Sequence, residues 1–278
     1  RERSQSRTPQ LESNKKGPFY YNETIHPEER ALDKYSYDQK AAEKYRKMGF
    51  GLVSAIEKDG VVRGRSVLLA LNDDADLQVL NANSAMHYSF SKGSSRQTYP
   101  SSLMGMIALI RQMHYDAKWY AENQSKIDYN ESLEAINEYA DLPKIIDAQS
   151  TLSILRAQKI AEEFDMQFII KGDGNAYQRL SEVKANGGAL LVPLTYPKPY
   201  DVSDPFDAMA LSLADMKEWE LADYNSVWIE NEKVPFAFTS DGLKSEKELF
   251  TNVERSIQKG LSRERAVEHF TIEAAKLL

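Results

Sequence analysis

Cysteine is absent from the 278 residues of this chain. That excludes a disulfide, a thiolate nucleophile and a Cys-ligated zinc site, and it fits cytoplasm and periplasm equally. Histidine is scarce, at four, and neither H-x-H nor H-E-x-x-H occurs, so the chain by itself assembles no His-rich metal centre. Apolar runs such as 189–194 are far too short to cross about 30 Å of hydrocarbon. Basic surplus is missing as well. Lys and Arg total 35 against 42 Asp and Glu, a formal charge of −7, which leaves no electrostatic footprint for nucleic acid. No Gly-rich phosphate loop and no G-x-G-x-x-G follows a predicted strand, which weakens a dinucleotide-binding reading. No G-x-S-x-G elbow is present either.

What remains is an ordinary globular composition, 42% hydrophobic and 28% charged, with 13 Gly and 10 Pro. A chain of this size can bury roughly three quarters of its extended surface, enough for one large core. Length allows one or two domains, and single β/α barrels of about 250 residues are common. Residues 1–37 are polar and aperiodic, with Pro9, Gly17, Pro18 and Pro27; they read as an irregular arm over a core. Residues 38–278 read as one domain. Its first half carries a charged helix over 38–48 ended by Gly49 and a short buried strand over 52–56. Further apolar runs follow at 66–71 and 77–80, after turns at 58–60 and 72–75. The strongest helix pattern covers 101–123, where Met106, Ile110, Met113, Ala117 and Tyr120 recur at steps of three and four. A helix over 131–139 follows.

Beyond it the pattern becomes regular. Strands are expected at 144–146, 167–170, 189–194 and 234–239, and helices at 152–164, 176–185 (closed by Asn186-Gly187-Gly188), 245–259 and 262–270. Short strands alternating with amphipathic helices mean parallel β-α units. Several in a row with one helix each favour a TIM-like β/α barrel over an open doubly wound sheet. The chain opens at Arg1 without Met, and 272–278 reads as a helix with no cap or stop, so we expect a longer polypeptide of which this is a part.

In a β/α barrel the working residues sit at the carboxyl ends of strands. Those positions hold Asp147, then Lys171 with Asp173, then Thr195, Tyr196 and Lys198, and finally Thr239, Ser240 and Asp241. His87 precedes Lys92 in an aromatic segment. Each also has a plain structural role open to it. Asp241-Gly242 is a common turn pair, the Lys171 loop is solvated by composition, and His87 beside aromatics suits packing. His26, His114 and His269 read as structural.

With their flanks, these strand ends resemble a known family. The run 51–71, the segment 87–120 with Tyr-Pro-Ser-Ser-Leu-Met-Gly at 99–105, and the closing 260–278 resemble the amidohydrolase superfamily. The nearest branch is the imidazolonepropionase-like amidohydrolases, in particular a Bacteroidetes-type group in which such a domain belongs to a longer exported protein. The resemblance implies a metal-dependent β/α barrel with a small β-sandwich built from both chain ends. Here the barrel would be incomplete at both ends, lacking its first strand and the sandwich. It further implies hydrolysis of cyclic amides and related non-peptide C–N bonds by metal-activated water, with zinc or a similar divalent ion. The Asp that ends the family's last metal-facing strand matches Asp241, as metal ligand and general base. Family His positions match Asp147 and Lys171, the H-x-H lies upstream of Arg1, and the Pro of the closing motif is Ala274.

An ammonium at Lys171 would repel a divalent ion and pair with Asp241. The resemblance with these departures implies a domain with a degenerate metal site. Asp241 and Lys171 are its catalytic candidates, and His87, Asp147 and Tyr196 its substrate-binding candidates. A small molecule is the expected substrate, no membrane span is expected, and missing parts of the same polypeptide are the expected packing partners. The family favours a periplasmic or exported location, with the cytoplasm the other option. The rival expectation is a non-catalytic barrel supporting a second, active domain, and a sugar- or nucleotide-binding module ranks third.

Overall fold

The computed structural model describes residues 9, 11–74, 77–185 and 187–278. Two compact units make up the chain, Arg1–Asp147 and Ala148–Leu278. Of the predicted arm, residues 1–8 and 10 lie outside the described residues. The part that follows is built into the first unit. Tyr20, Asn22, Thr24 and Ile25 are buried, Ile25 and Arg30 form parallel bridges to Val62 and Arg65, and a short helix α1 spans Ala31–Lys34.

Helix α2, Gln39–Lys47, starts where the Asp38 carboxylate accepts the N–H groups of Lys40 and Ala41. Three strands then appear: β1 at Leu52–Ala55, β2 at Val62–Arg65 and β3 at Val67–Ala70. They are followed by β4, Val79–Asn81, and β5, Met86–Ser89. Residue 75 of the predicted turn 72–75 lies outside the described residues. The expected buried strand over 52–56 is an edge: among the described residues β1 pairs with β3 alone in an antiparallel β1-β3-β4 sheet, and Leu52 is exposed. Apolar composition alone could not distinguish a central strand from an edge with one covered face. Strand β2 was not foreseen because Arg63 and Arg65 interrupt its pattern, yet all four of its residues are buried.

Helix α3, Leu103–Asn123, is capped by the Ser102 hydroxyl and buries Ile110, Met113, Ala117 and Tyr120, the predicted stripe, with Met106 half-buried. Helix α4 spans Glu131–Glu138, and β6 spans Lys144–Asp147. In this unit β2 runs antiparallel to β5, and β5 parallel to β6, with His87 opposite Ile145 and Ser89 opposite Asp147. The antiparallel β2 departs from a run of purely parallel strands.

The second unit is regular. Helix α5, Thr151–Glu163, precedes β7, Phe168–Lys171; α6, Leu180–Ala185, precedes β8, Ala189–Pro193. Asn186 of the predicted helix stop lies outside the described residues. Helices α7, Pro205–Ala210, α8, Leu213–Leu221, and α9, Asn225–Asn231, fill a stretch in which no element was predicted. Signals for the first two were present in the sequence: Asp204 before Pro205, and a Ser212/Asp215 capping box. Strand β9, Phe236–Thr239, and helices α10, Glu246–Gln258, α11, Arg263–Phe270, and α12, Ile272–Leu277, complete it. Strands β7, β8 and β9 are parallel neighbours in that order. The protein is thus a mixed α/β chain with parallel strands and intervening helices, and its strand residues Ile170, Leu190, Val192 and Phe236 sit in the core.

Candidate functional site

Parallel strands bring their carboxyl ends to one side, and in the second unit that side gathers the two residues singled out for catalysis. Lys171 is the last residue of β7, and Asp241 lies two residues past β9. The Lys171 Nζ donates to Asp241 Oδ2 at 2.5 Å, with the lysine side chain 19% exposed and the aspartate 38%. The Asp241 backbone N–H donates to Thr239 Oγ1 at 3.2 Å, which folds the turn back on the strand end. Gly242 completes this turn at φ +85°. A Cβ there would lie 2.9 Å from Thr195 Cγ2, so only glycine lets the turn approach the end of β8 so closely. Asp241-Gly242 is therefore both a turn pair and the source of the paired carboxylate.

The other strand-end residues are used differently. Asp173 accepts the Asn175 backbone N–H at 3.0 Å, and the Asn175 side chain donates to Glu218 Oε1 at 2.9 Å, which ties the loop after β7 to α8. Tyr196 turns toward α10. Its hydroxyl is hydrogen-bonded to Ser256 Oγ at 2.6 Å, and the Arg255 guanidinium lies 4.8 Å from its ring centroid. Burial pushes the Tyr196 hydroxyl above the usual tyrosine range. Arg255 is held in turn by a two-point contact with Asp223 at 3.0 and 2.8 Å. These contacts hold Tyr196 in a packed polar network of the second unit.

The remaining two candidates belong to the first unit. His87 is buried on β5, and Asp147 ends β6. The parallel register sets His87 beside Ile145 and Ser89 beside Asp147, which places all four on one sheet face. Asp147 receives Arg63 Nη1 at 3.4 Å. Arg63 went unnoticed in the sequence, although two guanidinium groups, Arg63 and Arg65, between the apolar residues 61–62 and 67–69 were a legible sign of charge needing partners. His269 has the structural role expected of it. It stacks on Phe236 with centroids 3.6 Å apart and meets the Phe236 carbonyl and Glu230 Oε2, each at 2.9 Å. His114 stacks on Tyr88 with centroids 5.9 Å apart, and burial pushes it down to about 4, with the Lys144 charge adding to the effect.

The residues present do not fit a divalent metal. Among the described residues no group of three or more His, Asp or Glu could hold an ion. At Asp241 a cation already stands on the carboxylate: an ion at the usual distance of about 2.0–2.2 Å from that oxygen would face the Lys171 ammonium at close range.

No family model matches the chain, and no curated protein matches it. Among solved structures, an amidohydrolase from Thermotoga maritima MSB8 superposes with a TM-score of 0.69 over 98% of this chain and 74% of that one, at 17% sequence identity. At that identity the likeness concerns architecture. The chain therefore has an amidohydrolase-like fold.

Proposed function

We propose that this protein is a hydrolase-type domain acting on non-peptide C–N bonds of the cyclic-amide kind, on a β/α-barrel scaffold of the imidazolonepropionase-like type with a degenerate metal site. The observation that supports it best is the Lys171–Asp241 pair at the carboxyl ends of parallel strands within an amidohydrolase-like fold. In this reading Asp241 takes a proton from an attacking water, the new C–O bond forms, and the carbonyl electrons move onto oxygen. The Lys171 ammonium stabilises that oxyanion. Collapse breaks the C–N bond, and the proton held on Asp241 passes to the leaving nitrogen. Thr239, whose hydroxyl receives the Asp241 N–H, keeps the carboxylate in place.

The experiment is turnover of a panel of cyclic amides by the purified chain, followed by ring opening in the ultraviolet. Asp241→Asn is expected to lower kcat/KM by about 10² or more, Lys171→Met by a similar factor acting mainly on kcat, and a chelator to leave the rate unchanged. Equal rates in wild type and Asp241→Asn would refute the assignment.

A second reading has its own support. Lys171 and Asp241 neutralise each other, as they would in a barrel that lost catalysis and kept its scaffold. It expects no turnover on any member of the panel and no change in ligand binding in Asp241→Asn.

A further inference from the structure

The stretch that follows β8 carries apolar side chains that the fold does not cover. Helices α7 and α8 bury none of their residues. Phe206 and Met209 are each 81% exposed, and Leu213, Met216 and Trp219 are exposed as well. A single exposed apolar side chain is ordinary. Five within 206–219 make an apolar surface with no cover among the described residues.

Polar contacts hold these helices in place of burial. Asp204 accepts the Phe206 N–H at 2.8 Å with Pro205 in the first turn, and Ser212 and Asp215 cap α8 reciprocally at 2.9 and 3.2 Å. Glu218 adds a tie to the loop after β7, accepting the Asn175 amide at 2.9 Å. Helices of six and nine residues are too short to persist on propensity alone. Their apolar side chains add little to the unit that carries them, and their contact with water is a cost that a partner removes on binding.

We propose that the α7–α8 stretch is a docking surface for a basic amphipathic segment of another protein. Charge selects this occupant. Residues 200–221 hold six carboxylates, Asp201, Asp204, Asp207, Asp215, Glu218 and Glu220, against Lys217 alone. Asp207 and Glu220 are exposed and have no hydrogen-bond or ion-pair partner among the described residues; in the chain they adjoin Phe206 and Trp219. A helix that lies on a membrane carries Lys and Arg beside its apolar residues to meet anionic headgroups, the opposite sign to this one. A second copy would set like charge against like. A segment with apolar residues at helical spacing and Lys or Arg between them matches on both counts. Its apolar side chains bury against Phe206, Met209 and Trp219, the methionines adapt to their shape, and its cations meet Asp207 and Glu220. The surface lies in the second unit alone, does not include Lys171 or Asp241, and does not rest on the hydrolytic reading.

The test is fluorescence anisotropy of a labelled peptide made of two Leu-Lys-Lys-Leu-Leu-Lys-Leu repeats, titrated with the full chain. Its controls are the same peptide with Glu for every Lys, and one of equal composition whose order breaks the apolar face. The basic amphipathic peptide is expected to bind saturably, and each control about ten-fold more weakly or worse. Phe206→Ser combined with Trp219→Ser is expected to weaken binding about ten-fold, and Asp207→Asn combined with Glu220→Gln about five-fold with a smaller salt dependence. Phe250→Ser, at a comparably exposed ring on α10, is expected to leave it unchanged. No saturable binding, equal affinity for either control peptide, or an equal loss in Phe250→Ser would overturn the proposal. Sedimentation of the chain alone and flotation with phosphatidylcholine–phosphatidylglycerol vesicles address the other occupants. Self-association or vesicle binding that Phe206→Ser with Trp219→Ser abolishes would give the surface to a second copy or to lipid, and would equally overturn it. The substituted side chains are all exposed, and the charge pair decides the matter even where the apolar pair disturbs α7 and α8.

Discussion

The two units place an ion pair at strand ends by opposite means. In the first, Arg63 is carried by the β-bulge between Val62 and Gly64, is almost fully buried, and touches Asp147 at 3.4 Å. In the second, Lys171 ends a regular parallel strand, Asp241 sits on an open turn, and the two meet at 2.5 Å with Asp241 more than a third exposed. The shorter pair is the more exposed one. Distance alone therefore does not rank the two. Water screens the short pair, while the long pair sits where an imperfect contact costs more.

Acid sensitivity divides the same way. His114, in the first unit, has burial and Lys144 both acting against its charged form. In His269, of the second unit, burial also prevails, but the Phe236 carbonyl and the Glu230 carboxylate oppose it.

Three changes sharpen the contrast. The largest effect is expected from Gly64→Ala, which forces a side chain onto the Glu29 carbonyl at positive φ. It should cost about 3 kcal/mol or more in urea unfolding, and a cost under about 1 kcal/mol would mean that the bulge is soft. Next comes pH. His114 is held neutral in the folded state, with its pKa moved from the ordinary 6.5 down to about 4. The unfolded chain thus binds the extra proton first. Stability from this group is complete above about pH 6.5 and falls as pH drops toward 4, by up to about 3 kcal/mol. His114→Phe, which keeps a ring against Tyr88, should flatten the unfolding free energy between those pH values; an unchanged slope would assign the acid lability elsewhere. The smallest effect is Lys171→Met. Its pair is screened, so stability should change by less than about 1 kcal/mol. A larger loss in thermal unfolding would move Lys171 from the chemistry to the scaffold.

Much of this architecture was legible before any coordinates. The stripe Ile110, Met113, Ala117 and Tyr120 is buried as its spacing required, and the strand–helix alternation after residue 144 produced parallel strands. Asp38, Ser102 and Ser245 cap helices at the predicted starts, because capping is a local contest between a short polar side chain and the backbone. Local periodicity did not reach β2, where burial of two arginines contradicts their residue type, nor the edge position of β1, which depends on which strand lies beside it. Helices α7 and α8 were missed for want of a buried apolar face, although their caps were in view, and α9 has no side-chain cap to mark its start.

The same division holds for the chemistry. Position at the ends of predicted strands put Lys171 and Asp241 on a list with several other residues, and the family resemblance singled out the two. The pairing of their charges was expected from the resemblance; that Tyr196 turns to Ser256 instead, and that Arg63 is steered to Asp147, were decided only in three dimensions. Those outcomes depend on sheet register, on a one-residue bulge and on two glycines at positive φ. Each brings together groups 60 to 84 residues apart in the chain, beyond the reach of any local pattern.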